Sequence, residues 1–274
     1  MSEDETAVDA VMDLQLDRAH SARMYDYYLG GRTNFTADRE AVGRVMAVFP
    51  AALVAARANR EFMHRATRFL AGSGMRQFLD IGTGIPTSPN LHEVAQRVAP
   101  ECRVVYTDND PIVLAHAQAL LCSHASGRTA YAEGDVTDPE AVLSTAALRD
   151  TLDLDRPVAL SLNALLHFVG DDQGAHKIVE HLKGALASGS TLAISHATWE
   201  FAPEAMERVA EVYRSAGTRL HFRSREEISR FFDGWELIEP GIVPSSKWRP
   251  DDPDDAANVT DIEAACFAGV ARKL

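Results

Sequence analysis

Gln77-Phe78-Leu79-Asp80-Ile81-Gly82-Thr83-Gly84-Ile85-Pro86 is the stretch that decides the fold. Phe78 to Ile81 reads as a short buried strand, and it stops at a glycine turn. Glycine is wanted where a backbone must turn tightly or approach a ligand with no Cβ in the way. The Ser88-Pro89 pair that follows has the form of a helix start, a capping hydroxyl before proline at the first helical position. Strand, glycine turn and helix open a βαβ unit, although Gly-x-Gly alone is weak evidence for a ligand.

Outward from this loop the pattern repeats. Gln77–Ile81, Arg103–Thr107, Thr129–Glu133, Pro157–Leu162 and Thr191–Ser195 are strand candidates, with proline-led helix starts at Ser88-Pro89, Asp110-Pro111 and Asp138-Pro139. That alternation predicts an α/β fold with a mostly parallel sheet. Ser224-Arg225-Glu226-Glu227 has the capping-box form, and two further strands are expected at Trp235–Glu239 and Ala264–Ala271. Between those two strands lies a Pro- and Asp-rich excursion, about 240–261, of a length that is usually functional or mobile.

The second ligand signal is Asp108, which ends Val104-Val105-Tyr106-Thr107-Asp108 about 26 residues past Gly82. A carboxylate at the end of the second strand can accept both ribose hydroxyls of an adenosine-containing cofactor. The dinucleotide pattern G-x-G-x-x-G/A would place glycine or alanine at position 87, where this chain has Thr87. S-adenosylmethionine (SAM) carries no pyrophosphate and has a cationic methionine end, so it suits a bulkier loop with Asp80 at the strand end. An acidic chain also fits a sulfonium cofactor better than a polyanion.

The sequence resembles the class I SAM-dependent methyltransferases in its Asp-x-Gly-x-Gly loop, Asp108, Gly134-Asp135-Val136 after strand three and Asn163 after strand four. Ala22–Gly31, Asn34-Phe35, Asp38-Arg39, Leu79–Asn90, Val104–Leu114 and Ser195-His196-Ala197 resemble a bacterial family of largely uncharacterised SAM-dependent methyltransferases. The resemblance implies a Rossmann-like seven-stranded sheet of order 3-2-1-4-5-7-6 with strand seven antiparallel. It implies Asp80, Gly82, Thr83 and Gly84 beside the methionine end, Asp108 and Asn109 at the ribose, Gly134, Asp135 and Val136 at the adenine edge, and Asn163 after strand four. Many class I loops have a third glycine where this chain has Pro86.

On the substrate side, His167 in Asn163-Ala164-Leu165-Leu166-His167-Phe168 stands where some small-molecule O-methyltransferases carry a general base; elsewhere such a histidine only lines the pocket. His196, at the carboxyl edge of strand five, is either a substrate contact or a hydrogen-bonded structural histidine. Tyr28 and Asn34 flank Gly30-Gly31, which resembles a hinge, and could form a lid over the cofactor.

Residues 1–75 read as a helical extension with stops at Gly30-Gly31, Pro50 and Gly72-Ser73-Gly74, and residues 76–274 as the catalytic core integrated with it. Hydrophobic residues make up 46% of the 274 and charged residues 24%, which is ordinary globular usage. The net charge of −13 argues against grip on nucleic acid through phosphate neutralisation. Cys102, Cys122 and Cys266 form no metal-like cluster and read as buried thiols of a cytoplasmic protein. No run approaches the ~18 apolar residues of a membrane span. The reading is a SAM-dependent methyltransferase with a small-molecule acceptor and no metal. A non-catalytic SAM-binding regulator and an NAD(P)-dependent oxidoreductase are the rivals.

Overall fold

The computed structural model describes residues 16–120, 123–252, 254 and 257–274. Cys122 and the acidic Glu3-Asp4-Glu5 run lie outside the described residues. The central sheet is built from β1 (Gln77–Ile81), β2 (Arg103–Asp108), β3 (Arg128–Glu133), β4 (Ala159–Asn163) and β5 (Thr191–Ala197), all parallel. Three further pieces, β6 (Glu236–Leu237), β7 (Val243–Pro244) and β8 (Cys266–Arg272), close it. The order is β3-β2-β1-β4-β5-β8-β6, with β8 antiparallel to β5. This is the expected order 3-2-1-4-5-7-6, with one refinement: the last position is split, because β6 and β7 both pair along the outer edge of β8.

All five residues of β1 are buried, as in a sheet covered on both sides. Alternation sends Leu79 and Ile81 to one face, where they meet Leu160, Leu162, Ile194 and the Ile178, Val179 and Leu182 stripe of α8 (Ala175–Gly184). Phe78, Val104 and Ala193 face the other way, against Phe62, Met63, Ala66 and Leu70 of α3 (Ala52–Gly72) and Leu91 and Ala95 of α4 (Leu91–Val98). Asp80 shares the α3 face with Phe78, which decides what it can meet.

Ahead of α3 come α1 (Ser21–Tyr28) and α2 (Thr36–Val48), and the chain bends by 103° between α2 and α3. Met24, Tyr28, Val42, Val45 and Phe49 pack with Met206, Val209 and Tyr213 of α9 (Pro203–Ser215) in a third apolar cluster. The ion pair Arg23–Asp38, 3.1 Å and almost fully buried, ties α1 to α2. Among the described residues no single helix is long and apolar enough to cross a membrane.

Three sequence expectations need correction. Ser88-Pro89 does not start a helix: α4 begins at Leu91 behind Asn90, whose capping box is closed by Glu93. The strand expected at Trp235–Glu239 shrinks to two residues, and Ala264 ends a short helix, Asp261–Ala264, instead of starting a strand. The long excursion is anchored on its near side. Trp248 is fully buried, edge-on to Phe62 at 5.4 Å, while Arg65 donates to the carbonyls of Trp248 at 2.9 Å and Ser245 at 2.7 Å.

Candidate active site

The carboxyl ends of β1, β2, β3 and β4 and the helices of the N-terminal extension together wall a cavity of about 460 Å³. Its floor starts at the glycine loop. Gly82 N–H and Thr83 N–H both donate to Thr107 O, at 2.8 and 3.2 Å, so the loop is pinned across the end of β2. Gly82 and Gly84 have φ of +71° and +66°, a region costly for residues with a Cβ. A Cβ on Gly82 would stand 2.5 Å from Leu165 Cδ1, whereas one on Gly84 would meet nothing within 4 Å. A side chain at 82 would therefore have to displace Leu165, whereas one at 84 would meet only the left-handed strain. Beyond Pro86 the loop is held by Arg60, whose guanidinium donates to Thr87 O and Pro89 O.

Asp108 is 7% exposed, and each of its oxygens takes one backbone N–H: Oδ2 from Gly84 at 2.8 Å and Oδ1 from Asp110 at 3.0 Å. A carboxylate has about four lone-pair sites, so two remain for a diol. Burial pushes its carboxyl above the ordinary value. Asn109 lines the cavity and donates to Asp135 Oδ2 at 2.9 Å, while Asp135 Oδ1 accepts from Thr137 N–H and Oγ1–H at 2.8 and 2.7 Å. Those bonds hold the Asp135 carboxyl below its usual range despite partial burial. Gly134 is a packing glycine, since a Cβ there would lie 2.9 Å from Val142 Cγ2. Val136 adds an apolar wall beside it.

Asp80 and Asn163 close the floor. Burial raises the Asp80 carboxyl to about 6, against partial relief from hydrogen bonds with Thr83 and Ser161. Asn163 Nδ2 donates to Ser161 Oγ at 2.6 Å, and its Oδ1 is buried without a partner. An acid that a cation would hold ionised, an orphaned acceptor and a carboxylate with unspent lone pairs suit a cofactor with a ribose diol and a cationic end.

The substrate-side residues divide. Tyr28 lines the cavity and its hydroxyl lies 3.4 Å from Tyr213 Oη. Asn34 does not line it: its amide donates to Asp26 Oδ2 at 2.8 Å and Gly31 O at 3.1 Å and braces the turn after α1. The Gly30-Gly31 pair is accordingly no free hinge, because a Cβ on Gly31 would lie 1.9 Å from Asp26 Oδ1 and Gly31 N–H donates to Asp26 O at 2.8 Å.

His167 lines the cavity, but burial and then the Arg223 charge lower it to about 3. Its Nδ1 accepts weakly from Ala197 N–H at 3.5 Å, which leaves the proton on Nε2. A ring so protonated and so weakly basic suits a pocket-lining hydrogen-bond donor better than a general base, the other of the two roles the sequence allows it. His196 is fully buried and is not among the residues that line the cavity. The pleat turns it to the Leu192 and Ile194 face. There Nε2 accepts from Arg223 Nη1 at 2.8 Å and Nδ1–H donates to Ala197 O at 2.7 Å.

Sequence reasoning missed three residues. Arg223, 4% exposed, also donates to Leu166 O and Val169 O, both at 2.9 Å, and so clamps the turn that carries His167. Tyr25 and Asn59 face each other inside the cavity. No local pattern marks Arg223 or Asn59; for Asn59 the only available signal was a polar residue on the apolar stripe of α3.

The parallel sheet of order 3-2-1-4-5-7-6 with its antiparallel strand is the class I SAM-dependent methyltransferase fold, and the cavity opens at the carboxyl edge of β1 to β4. The chain belongs to the S-adenosyl methyltransferase family, whose profile matches residues 7–274. It is similar to the crystal structure of a DUF574 family protein from Streptomyces avermitilis MA-4680, at 52% identity and a TM-score of 0.93, over 95% of this chain and 100% of that one. A protein from Thermobifida fusca YX, crystallised as a candidate methyltransferase, is 39% identical with a TM-score of 0.88, over 97% of this chain and 99% of that one. An O-methyltransferase family protein from Burkholderia thailandensis, 16% identical with a TM-score of 0.50 over 77% of this chain and 55% of that one, shares the fold alone. No curated protein matches the chain.

Proposed function

We propose that the protein methylates a small molecule held beneath the N-terminal helices. The observation that carries this reading is the continuity of the cavity, which runs from the cofactor region under α1 and α3 to α9. The extension then acts as a fixed cover. His20 Nδ1 sits 3.0 Å from Asp110 Oδ2, joining the cover to the loop after β2, and the pinned turn after α1 leaves little freedom to swing.

Asp108 and Asn109 would hold the ribose, Asp135 and Val136 the adenine edge, and Asp80 with the Gly82–Gly84 backbone the methionine end. When bound, SAM supplies an electrophilic methyl group. Held there, it would give that methyl to an acceptor lone pair, with sulfur keeping the electron pair of the broken bond and the acceptor's proton lost to solvent when the product leaves. The protein's part is alignment and exclusion of solvent, which can supply much of the rate without a strong base. His167 Nε2–H contributes a donor at the cavity wall, and the aromatic cover keeps bulk water away.

Incubation with methyl-labelled SAM and a cell extract, separated by filtration into small molecules and macromolecules, tests the reading. Label is expected in an organic product of the small-molecule fraction; label transferred only to protein or nucleic acid would overturn it.

A further inference from the structure

The wall of the cavity is chemically split. Its acids, Asp80, Asp108 and Asp135, sit at the strand edge, and among the described residues its one arginine, Arg60 of α3, reaches over to the loop beyond Pro86. The opposite half is aromatic: Tyr25 and Tyr28 from α1, Phe49 before α3, Phe168, Tyr213 from α9, and Phe222. Ala52, Ala55 and Ala56 recess the α3 side of it. Among the described residues no Lys, Arg, Asp or Glu lines this half. A charged group there would lose its hydration with no counter-ion to replace it.

A buried polar pair, Tyr25 and Asn59, sits at the seam between this half and the cofactor region. Tyr25 Oη–H has a single proton and donates it to Ala56 O at 3.1 Å. Its oxygen must then accept from Asn59, and Asn59 Nδ2 donates to it at 2.7 Å. That fixes the amide and leaves Asn59 Oδ1 buried without a partner, in a residue that lines the cavity and is 6% exposed. Such an orphan is costly unless a ligand satisfies it. Its place on α3 is between Ala56, in the aromatic half, and Arg60, which donates to the loop beyond Pro86.

We propose that the methyl acceptor is an uncharged, flat, mainly apolar molecule whose hydroxyl or amine N–H donates to Asn59 Oδ1. The assignment rests on the methyltransferase reading above. A nucleophile that donates its proton to the amide keeps a lone pair free and is oriented by the bond. Asn59 is a specificity-determining residue in this scheme, and the amide takes up no proton.

The test uses protein saturated with S-adenosylhomocysteine and four probes, 1-naphthol, 1-naphthylamine, 1-methoxynaphthalene and 1-naphthyl phosphate, with affinities from calorimetry. The two donors are expected to bind about tenfold more tightly than the methoxy compound, the worth of one hydrogen bond, and the phosphate not at all. Asn59→Ala should erase the donor preference while affinity for S-adenosylhomocysteine stays within about twofold. Tyr25→Phe, which frees the amide to turn its NH2 inward with little change of shape, should weaken the preference as well.

Binding of the phosphate as tight as the naphthol overturns the proposal, and so does failure of both donors to bind. A preference that survives Asn59→Ala while cofactor affinity falls also overturns it, placing Asn59 on the cofactor. Absence of S-adenosylhomocysteine binding by the unaltered protein is a separate result, which would strike the methyltransferase reading itself.

Discussion

Replacing Arg223 with methionine keeps the aliphatic stem and removes only the guanidinium. Four bonds go with it. The one to Asp171 Oδ1, 2.7 Å long, ends on a carboxylate 71% exposed, so water replaces it and it counts for little. The other three end on Leu166 O, Val169 O and His196 Nε2, all in residues no more than 3% exposed, which solvent cannot reach. At about 1 to 1.5 kcal/mol for each stranded acceptor, Arg223→Met should cost about 3 to 5 kcal/mol. In a chain of this size that is a fall in Tm of about 6 to 10 °C. Arg219, paired with Asp172 at 4.0 Å and 77% exposed, is the matched control, and Arg219→Met should change stability by less than about 0.5 kcal/mol. Equal unfolding midpoints for the two variants in urea or by calorimetry would refute the clamp.

The two loop glycines should separate strain from clash. Gly82→Ala and Gly84→Ala each impose the left-handed penalty of about 1 to 2 kcal/mol, but only the first drives a methyl into Leu165; Gly82→Ala should unfold at the lower denaturant concentration, and equal midpoints would contradict the assignment. Asp80 predicts opposite pH trends for folding and for binding. Because burial raises its carboxyl to about 6, the free protein should lose about 3 kcal/mol between about pH 4 and 6 as a buried charge appears, and Asp80→Asn should flatten that slope. SAM affinity should rise over pH 5 to 7 as the ionised acid becomes available to the cationic end; affinity independent of pH would remove Asp80 from the methionine site.

How much could be read from the sequence depended on whether each signal was local. Gly82, Gly84 and Asp108 were legible because backbone conformation and strand-end position are fixed by a few neighbouring residues. The parallel strands showed as short apolar runs because they are covered on both faces. Counting the pleat would have narrowed the two readings of His196: it shares parity with Leu192 and Ile194 and so points into the core. The true cap of α4 was also on the page, since Asn90-Leu91-His92-Glu93 has the capping-box spacing, but the Pro89 signal masked it. Arg223, Asn59 and Trp248 were not legible. Their partners lie 54 to 57 residues away for the Leu166 and Val169 carbonyls, 34 for Tyr25 and about 180 for Arg65, distances over which no periodicity carries information.

The placement of SAM on Asp108 is the claim on which the rest stands. Calorimetric titration of the purified protein with SAM should give one site of micromolar affinity, and Asp108→Ala, which removes both lone-pair sites offered to the ribose and the acceptor for Gly84 N–H, should abolish it. Undiminished binding in a folded Asp108→Ala variant would contradict the site.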